Sequence, residues 1–163
     1  EVITSILLEN GHDEAEAKLA AAFSQGSYLR AMEFLDDDMK QLRTDVVNTF
    51  RVSLKKKVYR NDLFEGLSGL ISQKDKNITE VYLKILLSWI RDAYLISLGG
   101  EQNSVLNIDQ KDILHSFASN FAEADFDAAI SSIEKAIARI RKNVQIQLIL
   151  VGMYIELRKI FIR

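Results

Sequence analysis

Apolar positions recur at helical spacing along the whole chain, and no stretch shows the sustained period-two alternation of a half-buried strand. Val2 to Glu9 predicts a short first helix, closed by Asn10-Gly11, a usual left-handed stop. Asp13, with Glu16 three residues on, resembles a capping box and opens a helix over Glu14 to Ser24. Gly26 breaks that helix and Ser27 caps the next, in which Leu29, Met32 and Leu35 have core spacing. Asp36-Asp37-Asp38 then reads as a solvated face or a bend. From Met39 the pattern Leu42, Val46, Phe50 and Leu54 makes a long amphipathic helix, with Lys55-Lys56-Lys57 at its C-terminal end, where cations complement the dipole. Leu63, Leu67, Leu70 and Ile71 form a shorter helix softened by Gly66 and Gly69.

The stretch from Ile78 to Leu98 is different in kind. It is apolar around nearly its whole circumference, with Asn77 and Glu80 as its expected start and Gly99-Gly100 as its stop. Arg91 and Asp92 nevertheless sit side by side in it, next to the only tryptophan, Trp89. A helix so apolar must be enclosed, and the two charges must then find specific partners. Adjacent helix residues point about 100° apart, so the pair cannot satisfy each other. Asn143 and the Asn107–Asp109 turn are the candidates, and on this reading Arg91→Ala strands a charge at a cost of several kcal/mol.

After a loop from Glu101 to Asn107, Asp109 caps a helix with Ile113, Leu114, Phe117 and Phe121 inward. Asp125 caps another with Phe126, Ala129, Ile130, Ile133, Ile137 and Ile140 inward, and Asn143 marks the joint before a last apolar helix, Val144 to Phe161. The expected fold is all-α, a bundle of eight helices with the two most apolar ones at its centre.

A membrane does not enclose those two helices on this reading. Lys84, Arg91 and Asp92 fall inside the first apolar window, and each would cost roughly 2.5–3.5 kcal/mol at a bilayer centre. Glu156, Arg158 and Lys159 interrupt the second. The chain opens Glu1-Val2-Ile3-Thr4, without a signal-peptide pattern or a starting Met, and reads as a piece of a longer protein.

Composition narrows the chemistry. The 163 residues can bury one good core, and the absence of cysteine removes disulfides, thiolate metal sites and cysteine nucleophiles. The absence of proline suits long helices. Net charge is −2, so no global field attracts nucleic acid. The charge is uneven, however: residues 1–38 hold nine acids against Lys18 and Arg30, and residues 139–163 hold six bases against Glu156. Such asymmetry belongs to solvated faces, or to subunits that orient their neighbours.

No catalytic, cofactor-binding or metal-ligating constellation emerges. His115 lies three residues after Asp112, a spacing two metal ligands could use, but a di-metal bundle needs a second such pair, and Glu9-Asn10-Gly11-His12 is broken by glycine. There is no phosphate-cradling Gly-rich loop with Lys and Ser/Thr, no Gly-x-Ser-x-Gly and no zinc-protease helix. The lysine triplet has only Tyr59 beside it, too little for a base-stacking platform.

Ordered motifs say more than any single residue. Gln25-Gly26-Ser27-Tyr28-Leu29-Arg30-Ala31, Ser88-Trp89-Ile90-Arg91-Asp92, Asn107-Ile108-Asp109 and Arg141-Lys142-Asn143-Val144 follow one another with characteristic spacing. The series resembles the delta-prime family of bacterial DNA polymerase III clamp-loader subunits over essentially the whole chain. The resemblance implies that residues 1–38 are the end of an AAA+ helical lid and residues 39–163 a helical collar. It implies a cytoplasmic, non-enzymatic assembly element that holds its subunit among gamma/tau and delta in a five-membered loader. The sliding clamp and primed DNA are then met only through the whole complex, and the parent subunit is not itself an ATPase. Trp89, Arg91, Asp92, Asn107, Asp109 and Asn143 become structural or interface residues.

In ATP-hydrolysing members of this group an arginine two residues after the lid serine reaches the nucleotide phosphates. The matching position here is Leu29, with Arg30 adjacent, and an aliphatic side chain cannot stabilise phosphate charge. A second departure is Asn143-Val144-Gln145-Ile146, where relatives often read Asn-x-Asn-Pro; the last helix then starts a residue or two differently. Two alternatives stand beside this reading: the same region of a gamma/tau-type ATPase, and an unrelated helical interaction scaffold.

Overall fold

The computed structural model describes residues 2–57, 59–100 and 104–162, and among them the fold is all-α. The helices are α1 (Val2–Glu9), α2 (Glu14–Phe23), α3 (Tyr28–Phe34), α4 (Asp37–Ser53), α5 (Tyr59–Gln73), α6 (Lys76–Ser97), α7 (Lys111–Asn120), α8 (Phe126–Arg141) and α9 (Ile146–Phe161), with a 3-10 turn at Ile108–Gln110 before α7. There are nine α-helices among the described residues rather than eight. The chain breaks at Asp36, whose carboxylate accepts from the Asp37 N–H and caps α4, so α3 and α4 are separate helices.

Several starts follow local chemistry. Asp13, Ser27 and Asp125 accept from the backbone N–H groups of Glu16, Arg30 and Ala128. Two expected caps are displaced. Asp75, not Asn77, caps α6, accepting from the N–H groups of Asn77 and Ile78. Asp109 lies inside the 3-10 turn and caps nothing; α7 begins at Lys111 without a side-chain cap. Asn143 holds a left-handed φ of 60° in the turn before α9.

Helices α1–α3 pack in sequence on one another and close with the stacked rings of Phe23 and Phe34, whose centroids are 4.6 Å apart. This stack turns α3 so that Ala31 and Phe34 are buried, while Leu29 and Met32, expected inward, are exposed. Helices α4–α9 form the larger bundle. Helix α6 packs against α4, α7 and α8, and α9 packs against α4, α5 and α8. Helix α5 comes so close to α4 at Gly66 that a Cβ there would strike Thr49.

An edge-to-face knot of Phe50 on α4, Trp89 on α6, Phe117 on α7 and Phe161 on α9 fills the middle, with Phe50–Trp89 and Phe50–Phe161 centroids 5.9 and 5.7 Å apart. Below it the buried hydroxyls of Tyr82 and Tyr154 bond to each other, joining α6 to α9. The expectation that α6 and α9 form the centre holds only for α6. One face of α9 packs inward, while Leu148 (64% exposed) and Ile155 (47%) on the opposite face stay outside. Its apolar circumference is wider than the surface the neighbours cover.

Candidate functional site

The residues singled out on α6 fall into two arrangements. Asp92 is buried, with 2% exposure, and its carboxylate accepts from the Leu106 N–H (3.2 Å), the Asn107 N–H (2.8 Å) and Asn107 Nδ2 (2.7 Å). Three donors meet the lone pairs of one carboxylate, so the 104–110 segment is tied to the middle of α6. Trp89 Nε1 donates to Gln110 Oε1 at 2.9 Å and fastens the other end of the same segment. From α4, Arg43 donates to Asn107 Oδ1 (3.1 Å) and to both Asp109 oxygens (3.1 and 3.2 Å). Asn107 thereby links α4 to α6, and Trp89, Asp92, Asn107 and Asp109 share one network.

Arg91 is outside it. Its guanidinium pairs with Glu134 on α8 at 2.6 Å, with both side chains about half exposed, 53% and 51%. The picture of a stranded, buried Arg91 is therefore wrong. The apolar belt of α6 opens between α8 and solvent at the angle where residue 91 falls, and the cost of removing this charge drops to that of a surface pair. Asn143 is separate again. It accepts from Lys76 Nζ at the start of α6.

That same end of the bundle carries a second charged group. Glu80 takes Arg141 of α8 at 2.6 Å and Lys84 at 2.8 Å, and the two cations hold its carboxyl down at about 2. Glu80 lines a cleft of about 600 Å³ between α2–α3 and α6–α8, walled on the other side by Phe23, Phe34 and Arg30. Arg30 points at Gln25 Oε1, 3.0 Å away, whereas Leu29 is 69% exposed. Across the N-terminal junction Lys40 on α4 meets Glu16 on α2 at 2.7 Å, and that bond raises the Lys40 ammonium above its usual range.

Sequence reasoning missed Arg43, Gln110 and Arg158. Arg158 on α9 donates to the carbonyls of Ser53 (2.6 Å) and Lys55 (2.7 Å) and lies 3.7 Å over the Tyr59 ring. It thus satisfies carbonyls at the end of α4, where the lysine triplet follows. Arg43 could have been noticed as a cation on the otherwise inward side of an amphipathic helix, but nothing local names its partners. Among the described residues no group of three His, Asp or Glu side chains could hold a metal ion, and no helix is long and apolar enough to cross a membrane.

These features define an all-helical packing domain whose polar residues position helices. The family model described as DNA polymerase III, delta subunit, C terminal, matches residues 19–159, and the chain belongs to that family. No curated protein and no solved structure matches the chain. Membership makes this the C-terminal, collar-type domain of a clamp-loader subunit, a domain that is not itself catalytic.

Proposed function

We propose that this chain is the assembly region of a delta-prime-type clamp-loader subunit, holding it in the cytoplasmic pentamer that places the sliding clamp on primed DNA. Residues 1–38 serve as the end of an AAA+ lid and residues 39–163 as the collar; the break at Asp36 supports that division. The exposed apolar row of α9 carries the proposal. Leu148 and Ile155 stand on the solvent side of a helix whose opposite side is fully packed, and such a row fits a neighbouring subunit. Leu29 at the phosphate-sensing position supports a member that does not hydrolyse ATP over a gamma/tau-type one.

In this role Trp89, Asp92, Asn107, Asp109 and Asn143 act within one subunit, fixing the helices that present α9. Arg91, half exposed and paired with Glu134 on α8, is the member of the adjacent α6 pair that is open to a neighbour. Co-purification of the chain with gamma and delta subunits tests the reading. Leu148→Asp with Ile155→Asp is expected to keep its helical content and melting temperature yet fail to co-purify. Unchanged assembly by that variant would remove α9 from the interface, and ATP hydrolysis by the chain itself would refute the non-catalytic role. Upstream sequence containing a phosphate loop with Lys and Ser/Thr would transfer the chain to the gamma/tau type.

A further inference from the structure

The end of the bundle where α4 stops, α5 begins and α9 finishes gathers a dense cluster of basic residues. Arg51, Lys55, Lys56, Lys57 and Arg60 follow one another with no acid between Asp45 and Asp62. Arg158 and Lys159 in the last turn of α9 join them, because Arg158 reaches the Ser53 and Lys55 carbonyls and covers Tyr59. Two carboxylates answer these seven cations. Asp62 pairs with Lys55 at 2.9 Å, and Asp112 shares a shallow hollow with Arg51. The group is thus +5 within a chain of −2, and the remaining residues carry −7.

Complementing helix dipoles accounts for little of this. The C-terminal ends of α4 and α9 contribute about half a negative charge each. Arg158 already occupies the α4 carbonyls. Among the described residues, Arg51, Lys56, Lys57, Arg60 and Lys159 form no ion pair with a carboxylate, and Lys56 and Lys57 are exposed. The two Arg158 hydrogen bonds also fix the backbone at Ser53 and Lys55, from which Lys56 and Lys57 follow. Their field reaches Tyr59, whose phenol lies below its ordinary range because it accepts from Arg60 and stands beside two guanidiniums.

We propose that this end of the bundle is a contact surface for the phosphate backbone of nucleic acid. Ammonium and guanidinium groups spread over two helix ends and the residues after α4 match a row of phosphates, and the excess negative charge elsewhere turns this end toward the polyanion. With one exposed ring at most, the surface reads charge and not base sequence. The contact is salt-labile and independent of sequence. It rests on none of the subunit-type assignment, and DNA binding and loader assembly are read separately, so either can fail alone.

The test is fluorescence anisotropy of the whole chain with a labelled, mixed-sequence single-stranded oligonucleotide between about 50 and 200 mM salt. Affinity is expected to fall steeply across that range. Lys56→Glu with Lys57→Glu, both exposed, is expected to weaken binding at least tenfold at the low end and to flatten the log–log salt slope by about 2. Lys135→Glu with Lys142→Glu makes the same change in net charge on exposed positions of α8 and its end, and is expected to change neither. Equal loss in both variants would reduce the effect to net charge and overturn the assignment. Absence of binding at low salt would do the same. Polyglutamate of matched charge binding as tightly as the oligonucleotide would reassign the surface to an acidic protein partner.

Discussion

Asp92 and Arg91 are consecutive residues of α6, yet one is inside the protein and the other is at its surface. Asp92 gathers three N–H donors in a place with almost no solvent, and Arg91 meets a single carboxylate with half its side chain in water. One helical step of about 100° separates the two environments. The lesson is that a charge in an apolar run is no guide to its own burial. What decides is whether a neighbouring segment brings donors to it. The 104–110 segment does so for Asp92, and α8 offers Arg91 only an exposed glutamate.

The strongest way to break the comparison is to remove the buried partner. Asp92→Ala leaves the Leu106 and Asn107 donors without an acceptor in a closed site, and is expected to cost about 3–5 kcal/mol in urea unfolding. Asp92→Asn keeps the volume and one acceptor oxygen, so it is expected to lose less. A loss for Asp92→Ala below about 1 kcal/mol would mean that water or a shifted backbone replaces the carboxylate, and the two sides of the helix would then be energetically alike.

Much of the fold was legible before any coordinates. The 3.6-residue pattern located the helical stretches, though it gave eight helices where nine form, and the caps at Asp13, Ser27 and Asp125 followed from one side chain and the N–H group three residues on. What escaped is tertiary. The α3 face was misread because Phe34 stacks on Phe23 from another helix, leaving Leu29 and Met32 out. The turn at Asn107–Asp109 was named as a partner for the charged pair, and it does hold Asp92. Its second anchor, Arg43, lies 64 residues from Asn107 and carries no local signal. The apolar reading of α6 placed Arg91 inside because periodicity counts apolar neighbours in sequence, not the helices that cover them.

Glu80 stands between the extremes, with 21% of its side chain exposed and two cations bound. Its folded carboxyl titrates at about 2 against an ordinary value of 4.5. The stability it contributes is therefore complete above about pH 4.5 and is lost as pH falls toward 2. Discounted for solvent screening, Glu80→Gln is expected to cost about 1–2 kcal/mol at pH 7. Urea midpoints should show the gap between wild type and variant narrowing from pH 5 to pH 3. A gap that stays constant over that interval would show that packing of the side chain, not its charge, joins α6 to α8 at this end.

The smallest effect belongs to Arg91, and it sharpens the comparison most. An exposed pair of this kind contributes about 0.2–1 kcal/mol, so Arg91→Ala should barely move the unfolding midpoint. A double-mutant cycle with Glu134→Ala isolates the pair, and its coupling should fade as salt rises. A loss above about 2 kcal/mol would mean that the alkyl stem packs α6 onto α8 far more than its exposure indicates. Co-purification with gamma and delta adds the second axis. An Arg91→Ala chain that keeps its midpoint but leaves the loader would place this residue on a neighbour, and Asp92 alone would remain the latch within the subunit. Full assembly with an unchanged midpoint would confine Arg91 to its surface pair with Glu134.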